Sequence, residues 1–290
     1  MYAFTAQQLC LLHLSMSVWQ RRGAAKAASL MFNEPTVTEV FLLDLVELFP
    51  GNVKIIPFTS KRESQIGADW AWAFVGPDGR SCQALLVQAK RLDDLDREYA
   101  ELYYQGRSTG ATSSVPQLDK LIASAKRFGL PPVYAFYNHL NDPSRIPRSS
   151  CGTLDLIQSS LPGSWGVAVA SAINVRKAKP DKTFDLHRYH SRPLHCLLCS
   201  GGTGQQFAKG SAGAAAAALS TLFEGTSEDD GLGPDLMPPF EPATELPELF
   251  RYAEEIEQAR AKGDTDLLYE NQLEFPGIAG AVILRDPEDA

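Results

Sequence analysis

The stretch Ala84-Leu85-Leu86-Val87-Gln88-Ala89-Lys90 narrows the possible folds more than any other part of the chain. In an extended conformation, Leu86, Gln88 and Lys90 share one face, and Leu85, Val87 and Ala89 share the other. Such an apolar run reads as a strand in the interior of a sheet, and its two polar residues stand side by side. Ahead of it, Ala68 to Val75 alternates, with Trp70, Trp72 and Phe74 on one face and Asp69, Ala71 and Ala73 on the other. Pro77-Asp78-Gly79 supplies a turn between the two runs. The pair is expected to form a hairpin of central strands, with Asp69 on a small-residue face.

The rest of the chain supplies helices around these strands. An N-terminal helical segment is expected over about residues 4 to 30, and Asn33-Glu34-Pro35-Thr36 offers a cap and a first-turn proline for a second helix to about Leu48. Val53 to Phe58 reads as a short strand. A polar helical stretch carrying Tyr99 and Tyr103, a Gly/Ser/Thr-rich loop, a helix from about Pro116 to Phe128 and a strand over Val133 to Asn138 follow. Residues 165 to 175 and 194 to 199 resemble further strands. An alanine-rich helix covers about 205 to 223, a helix lies near Pro247 to Ala261, and a strand lies near Ile278 to Leu284. The expected fold class is α/β. Its expected division is an N-terminal helical segment (1–32), a core (33–150), an α/β extension (151–223), an acidic Pro/Gly-rich linker (224–245) and a C-terminal helix and strand (246–290).

With 290 residues, 44% of them hydrophobic and 21% charged, the chain can bury a sizeable core. No apolar stretch approaches the roughly 20 residues of a membrane helix, and the N-terminus lacks the basic start of a signal peptide. Five scattered cysteines do not make a disulfide framework, so a cytoplasmic setting is expected. The net charge of -8 conceals an asymmetry: residues 1 to 200 carry +5 and residues 201 to 290 carry -13. Basic pairs such as Lys61-Arg62, Lys90-Arg91 and Lys126-Arg127 lie in the first part. Phosphate binding is therefore compatible with the first part, whereas the acidic region beyond about Glu224 is expected to stay clear of nucleic acid.

Asp69 at the start of one strand, with Gln88 and Lys90 on one face of its neighbour, is an arrangement suited to phosphodiester hydrolysis. A carboxylate holds a metal, a second ligand stands beside it, and a lysine offsets transition-state charge. Gly67-Ala68-Asp69-Trp70 followed by Gln88-Ala89-Lys90-Arg91 resembles the glutamine variant of the PD-(D/E)XK, restriction-endonuclease-like nuclease superfamily, as in Mrr-type restriction endonucleases. It is also similar to a bacterial family with a Gly-Ala-Asp-Trp, then Gln-Ala-Lys, arrangement. The resemblance implies a core of helix, three strands, helix and strand, which is the order read above from Thr36 to Asn138. It also implies a magnesium-dependent (or manganese-dependent) endonuclease acting on nucleic acid, DNA in the first instance, in prokaryotic restriction or anti-phage defence. A homo-oligomer or a defence-system partner would fit such a role.

Gln88 stands where most relatives of that superfamily have an acid, so a further carboxylate is expected to supply the missing charge. Glu39, on a helix with Leu42, Leu43 and Val46, and Glu63, six residues before Asp69, are both candidates, and the sequence does not choose between them. Arg91, Gln117, Lys61 and Arg62 are candidates for nucleic-acid contact. The cluster His187, His190, His195, Cys196 and Cys199 has Cys-x-x-Cys spacing but no second pair, and it is expected to be core without zinc. The competing reading is a catalytically silent nuclease fold that binds nucleic acid or a partner protein.

Overall fold

A computed structural model describes residues 5–58, 67–104, 115–147, 161–199, 210–263 and 278–287. In chain order the elements are α1 (Ala6–Ala27), α2 (Glu34–Leu48), β1 (Val53–Pro57), β2 (Trp70–Val75), β3 (Cys82–Arg91), α3 (Gln117–Phe128) and β4 (Pro132–Tyr137). They continue with β5 (Val167–Ser171), α4 (Ala172–Lys177), α5 (Phe184–His187), β6 (Ser191–Pro193), α6 (Gly210–Leu222), α7 (Glu248–Lys262) and β7 (Gly280–Arg285). The protein is a mixed α/β fold around one seven-stranded sheet of order β1-β7-β2-β3-β4-β5-β6. The pairing β2–β3 is antiparallel, β3–β4 parallel, β4–β5 antiparallel and β2–β7 parallel.

The expected hairpin is therefore central, and nine of the ten β3 residues are buried. On its Leu85, Val87 and Ala89 face, Phe41 of α2 stacks on Trp72 with ring centroids 5.7 Å apart. Leu194 and Leu197 from a 3-10 turn, Leu194–Leu198, help to close that side, and α1 and α6 pack against the turn. Helix α3 packs over β3 and β4, and α7 over β1 and β7. Among the described residues no helix is long and apolar enough to cross a membrane.

Several sequence expectations need correction. The Tyr99 region is not a helix: Glu98 makes an isolated bridge to Thr183, and Tyr99 is buried against Phe136 with its hydroxyl donating to Asn138 Oδ1 at 2.7 Å. Burial of a single large ring, with backbone pairing to Lys182, outweighs the weak helical pattern there. Residues 194 to 198 form a 3-10 turn in place of a strand, because Pro193 ends the short β6. The strand expected over 165 to 175 stops at Ser171, whose hydroxyl accepts from Ile173 N and caps α4. The segment expected as a linker packs on the body of the protein, with Leu232, Leu236 and Phe240 buried and Ala243 bridged to Cys82. Finally, the C-terminal strand is no appendage: β7 lies between β1 and β2, so the expected core, extension and C-terminal segment all contribute to one sheet.

Candidate functional site

The cluster forms at the end of the central strands where β3 runs out and β2 begins. Asp69 immediately precedes β2, and its backbone is already in the ladder, since Asp69 N donates to Val87 O at 2.8 Å and Asp69 O accepts from Ala279 N at 2.8 Å. This brings its carboxylate across to Gln88. Asp69 Oδ2 accepts from Gln88 Nε2 at 2.6 Å and from Ala89 N at 2.8 Å. Two residues further along β3, on the same face, Lys90 is 3% exposed and its ammonium lies 3.3 Å from Glu34 Oε1.

Local structure fixes each of these groups. Asn33 caps α2 by accepting from Thr36 N, with Pro35 in the first turn, as the sequence implied. That cap makes Glu34 the first residue of the helix, where the helix dipole favours a negative charge. Gly67 has φ +77, a region that L side chains rarely adopt. A Cβ there would also run into the Gln117 carbonyl oxygen and the Leu121 nitrogen of α3. The bare glycine thus lets the chain pass tightly under the start of α3 just before Asp69.

Burial dominates the electrostatics. Glu34 is pushed up from an ordinary value of 4.5 to about 7, because desolvation outweighs the favourable Lys90 charge and Asp69 adds repulsion. Tyr134, paired in register with Gln88, is fully buried, and its hydroxyl has no hydrogen-bond partner among the described residues. Desolvation raises its pKa, and the charges of Asp69 and Glu34 act in the same direction.

Gln88 shows whether these residues suit a cation. Its amide nitrogen faces two acceptors, Asp69 Oδ2 and Ala89 O at 3.1 Å, which fixes the orientation of the amide. The amide oxygen is then buried with no hydrogen-bond partner among the described residues. A buried oxygen left without a partner is costly unless a cation or a water completes it. Among the described residues no three His, Cys, Asp or Glu side chains gather as a metal group. The oxygens of the Asp69 and Glu34 carboxylates and of the Gln88 amide are of the donor type that magnesium takes.

A family model described as "Family of unknown function (DUF6615)" matches residues 7–283. The chain belongs to this family. No curated protein and no solved structure matches it. The match runs from the first turn of α1 into β7, so it takes in Asp69, Gln88, Lys90 and Glu34 of this DUF6615 chain together.

Glu39 and Arg91 point away from the cluster. Glu39 is exposed on the outer face of α2, because the buried stripe of that helix is Val37, Phe41, Leu42 and Leu45, while Leu43 and Val46 face out. Arg91 alternates away from Lys90 and is paired with Asp94 at 2.7 Å. Gln117 is the first residue of α3, beside Gly67 and hence near Asp69. Lys61, Arg62 and Glu63 lie outside the described residues. In the histidine and cysteine cluster, His187 Nδ1 is 2.8 Å from His190 Nε2 and Cys196 Sγ is 3.7 Å from His195 Nε2. Glu34 and Tyr134 were not singled out in the sequence. The signal for Glu34 was present, as an acid directly after a strong cap and only five residues from Glu39.

Proposed function

We propose that this chain is a metal-dependent nuclease that hydrolyses phosphodiester bonds, with DNA as the first substrate to test. The observation that carries this reading is the constellation itself: a lysine and an amide buried on one face of an interior strand, joined by Asp69 from the next strand and Glu34 from a helix start. A buried lysine with a single carboxylate beside it costs several kcal/mol to keep. An apolar residue would pack there more stably, so a chemical role is the better account.

In this reading Asp69, Glu34 and the Gln88 amide oxygen hold the ion, magnesium or manganese. When bound, such an ion polarises a phosphoryl oxygen and makes a bound water more acidic. Lys90 lends positive charge to the phosphate oxygens as negative charge builds on them, inside a site that excludes bulk water. Gln88 is neutral, and the structure supports Glu34, in place of Glu39, as the source of the missing charge. The order α2, β1, β2, β3, α3, β4 agrees with the restriction-endonuclease-like core implied by the sequence resemblance, and β7 between β1 and β2 is an addition to it.

The test is incubation of the purified protein with plasmid, linear DNA and RNA in magnesium, manganese or EDTA. Cleavage that EDTA abolishes is the expected result. Strong binding without cleavage of any substrate, in either metal, would favour a silent nuclease fold.

A further inference from the structure

On the β3–β4 pair Tyr134 stands in register with Gln88, and both lie on the face of the sheet opposite the apolar cavity that Val87, Ala89, Val133 and Ala135 line. Each ends in a buried polar atom with no hydrogen-bond partner among the described residues: the Tyr134 hydroxyl and the Gln88 amide oxygen. We propose that one buried water joins the two, accepting from the Tyr134 hydroxyl and donating to the Gln88 oxygen, so that Tyr134 is a positioning residue for the cation site. The positioning role rests on the metal-binding reading of the cluster, and the bridge itself does not.

Register and face bring the two groups together, since neighbouring strands lie about 4.8 Å apart across a ladder. Their polar ends are also complementary. The Gln88 amide is turned by the contacts of Nε2 with Asp69 Oδ2 and Ala89 O, which leaves its oxygen as an acceptor. Burial raises the pKa of Tyr134, so the phenol keeps its proton and stays a donor. The charges of Asp69 and Glu34 both act on that hydroxyl, in keeping with its place beside the cluster.

Packing does not explain the hydroxyl. Tyr134 is fully buried, and its ring stacks on that of Phe136 with centroids 5.8 Å apart and planes at 12°. Phe136 is in register with Lys90 on the same face and fills its place with no polar atom. A phenylalanine at position 134 would pack alike without burying a hydroxyl, so the oxygen needs another account. One water between a donor and an acceptor satisfies both at once. An amide oxygen has two lone pairs, so it can hold the water with one and present the other to a cation.

A double-mutant cycle on the full chain tests the bridge without metal or substrate. Wild type, Tyr134→Phe, Gln88→Met and the double variant are unfolded in urea in EDTA. In the wild-type background Tyr134→Phe should lower the folding equilibrium constant about fivefold, because Gln88 loses its water, and in the Gln88→Met background it should change it by less than about twofold. An equal loss in both backgrounds would tie the hydroxyl to some other group, and no loss in either would leave it an idle buried atom; both results overturn the bridge. Calorimetry with magnesium reads the positioning role and needs only Tyr134→Phe, so it stands even if Gln88→Met does not fold. Tyr134→Phe should bind magnesium about fivefold or more weakly than wild type, and equal affinity would overturn the role. A wild type that takes up no magnesium would end the metal-binding reading and the positioning role with it, while the urea cycle would still decide the bridge.

Discussion

Gln88 Nε2 donates to Asp69 Oδ2 at 2.6 Å, and this contact turns the amide oxygen of Gln88 into a buried acceptor with no hydrogen-bond partner among the described residues. Gln88→Glu therefore places a second carboxylate against Asp69, and like charges in contact raise each other's pKa. The variant should bind magnesium more tightly than wild type, because the added charge needs a cation to offset it. Gln88→Ala should bind it more weakly. Isothermal titration with magnesium and manganese measures both, and equal affinity in all three proteins would show that Gln88 does not face the metal.

Glu34 and Glu39 are separated by the orientation of α2. Glu34→Gln removes a carboxylate beside Lys90 and should lower the cleavage rate by roughly a hundredfold, the scale expected for one electrostatic group at a reacting centre. Glu39→Gln alters an exposed side chain and should leave the rate within about twofold. Steady-state cleavage of a plasmid substrate compares the two directly, and the opposite ranking would return the role to Glu39.

The raised pKa of Glu34 predicts how metal-free stability varies with pH. An acid whose folded pKa lies near 7, above its ordinary 4.5, contributes stability that is fully present below about 4.5 and is lost as pH rises through about 7. Replacing the buried Lys90 and the half-buried Glu34 together, as in Lys90→Met with Glu34→Gln, removes that loss. The double variant should be as stable as wild type, or a few kcal/mol more stable, above pH 7. Urea unfolding in EDTA between pH 5 and pH 8 tests this, and a wild-type stability that rises across this window relative to the double variant would contradict it.

Gly67 is the hinge on which Asp69 enters β2. Gly67→Ala has to place a Cβ at φ +77 against the backbone of α3, a strain of about 1–3 kcal/mol. Melting temperature should fall, and the cleavage rate should fall further than the stability loss explains, because Asp69 must move. A variant as active and as stable as wild type would show that α3 yields at no cost.

The central hairpin and its face assignment were legible because a period of two in side-chain direction needs only local sequence. Asp69, Gln88 and Lys90 came together for that reason. The face of α2 was not legible, since Val37, Phe41, Leu42, Leu43, Leu45 and Val46 surround the helix with apolar residues and leave no single stripe. Glu39 was placed by that false stripe, whereas Glu34 is placed by the Asn33 cap. The position of β7 was hidden for a different reason: pairing a strand at residue 280 with strands at 53 and 70 is a long-range register that no local pattern encodes. For the same reason the C-terminal acidic part cannot be removed to test nucleic-acid binding, because the cut would take an interior strand with it.

In the proposed nuclease Asp69 and Lys90 act as one centre, and the most direct measurement is single-turnover cleavage by wild type, Asp69→Ala and Lys90→Ala in magnesium, with folding checked by circular dichroism. Both variants should lose activity by on the order of a hundredfold or more while keeping most nucleic-acid affinity, since binding energy is spread over basic residues outside the cluster. A wild type that cleaves in magnesium and a folded Lys90→Ala that cleaves equally fast would contradict the proposed centre.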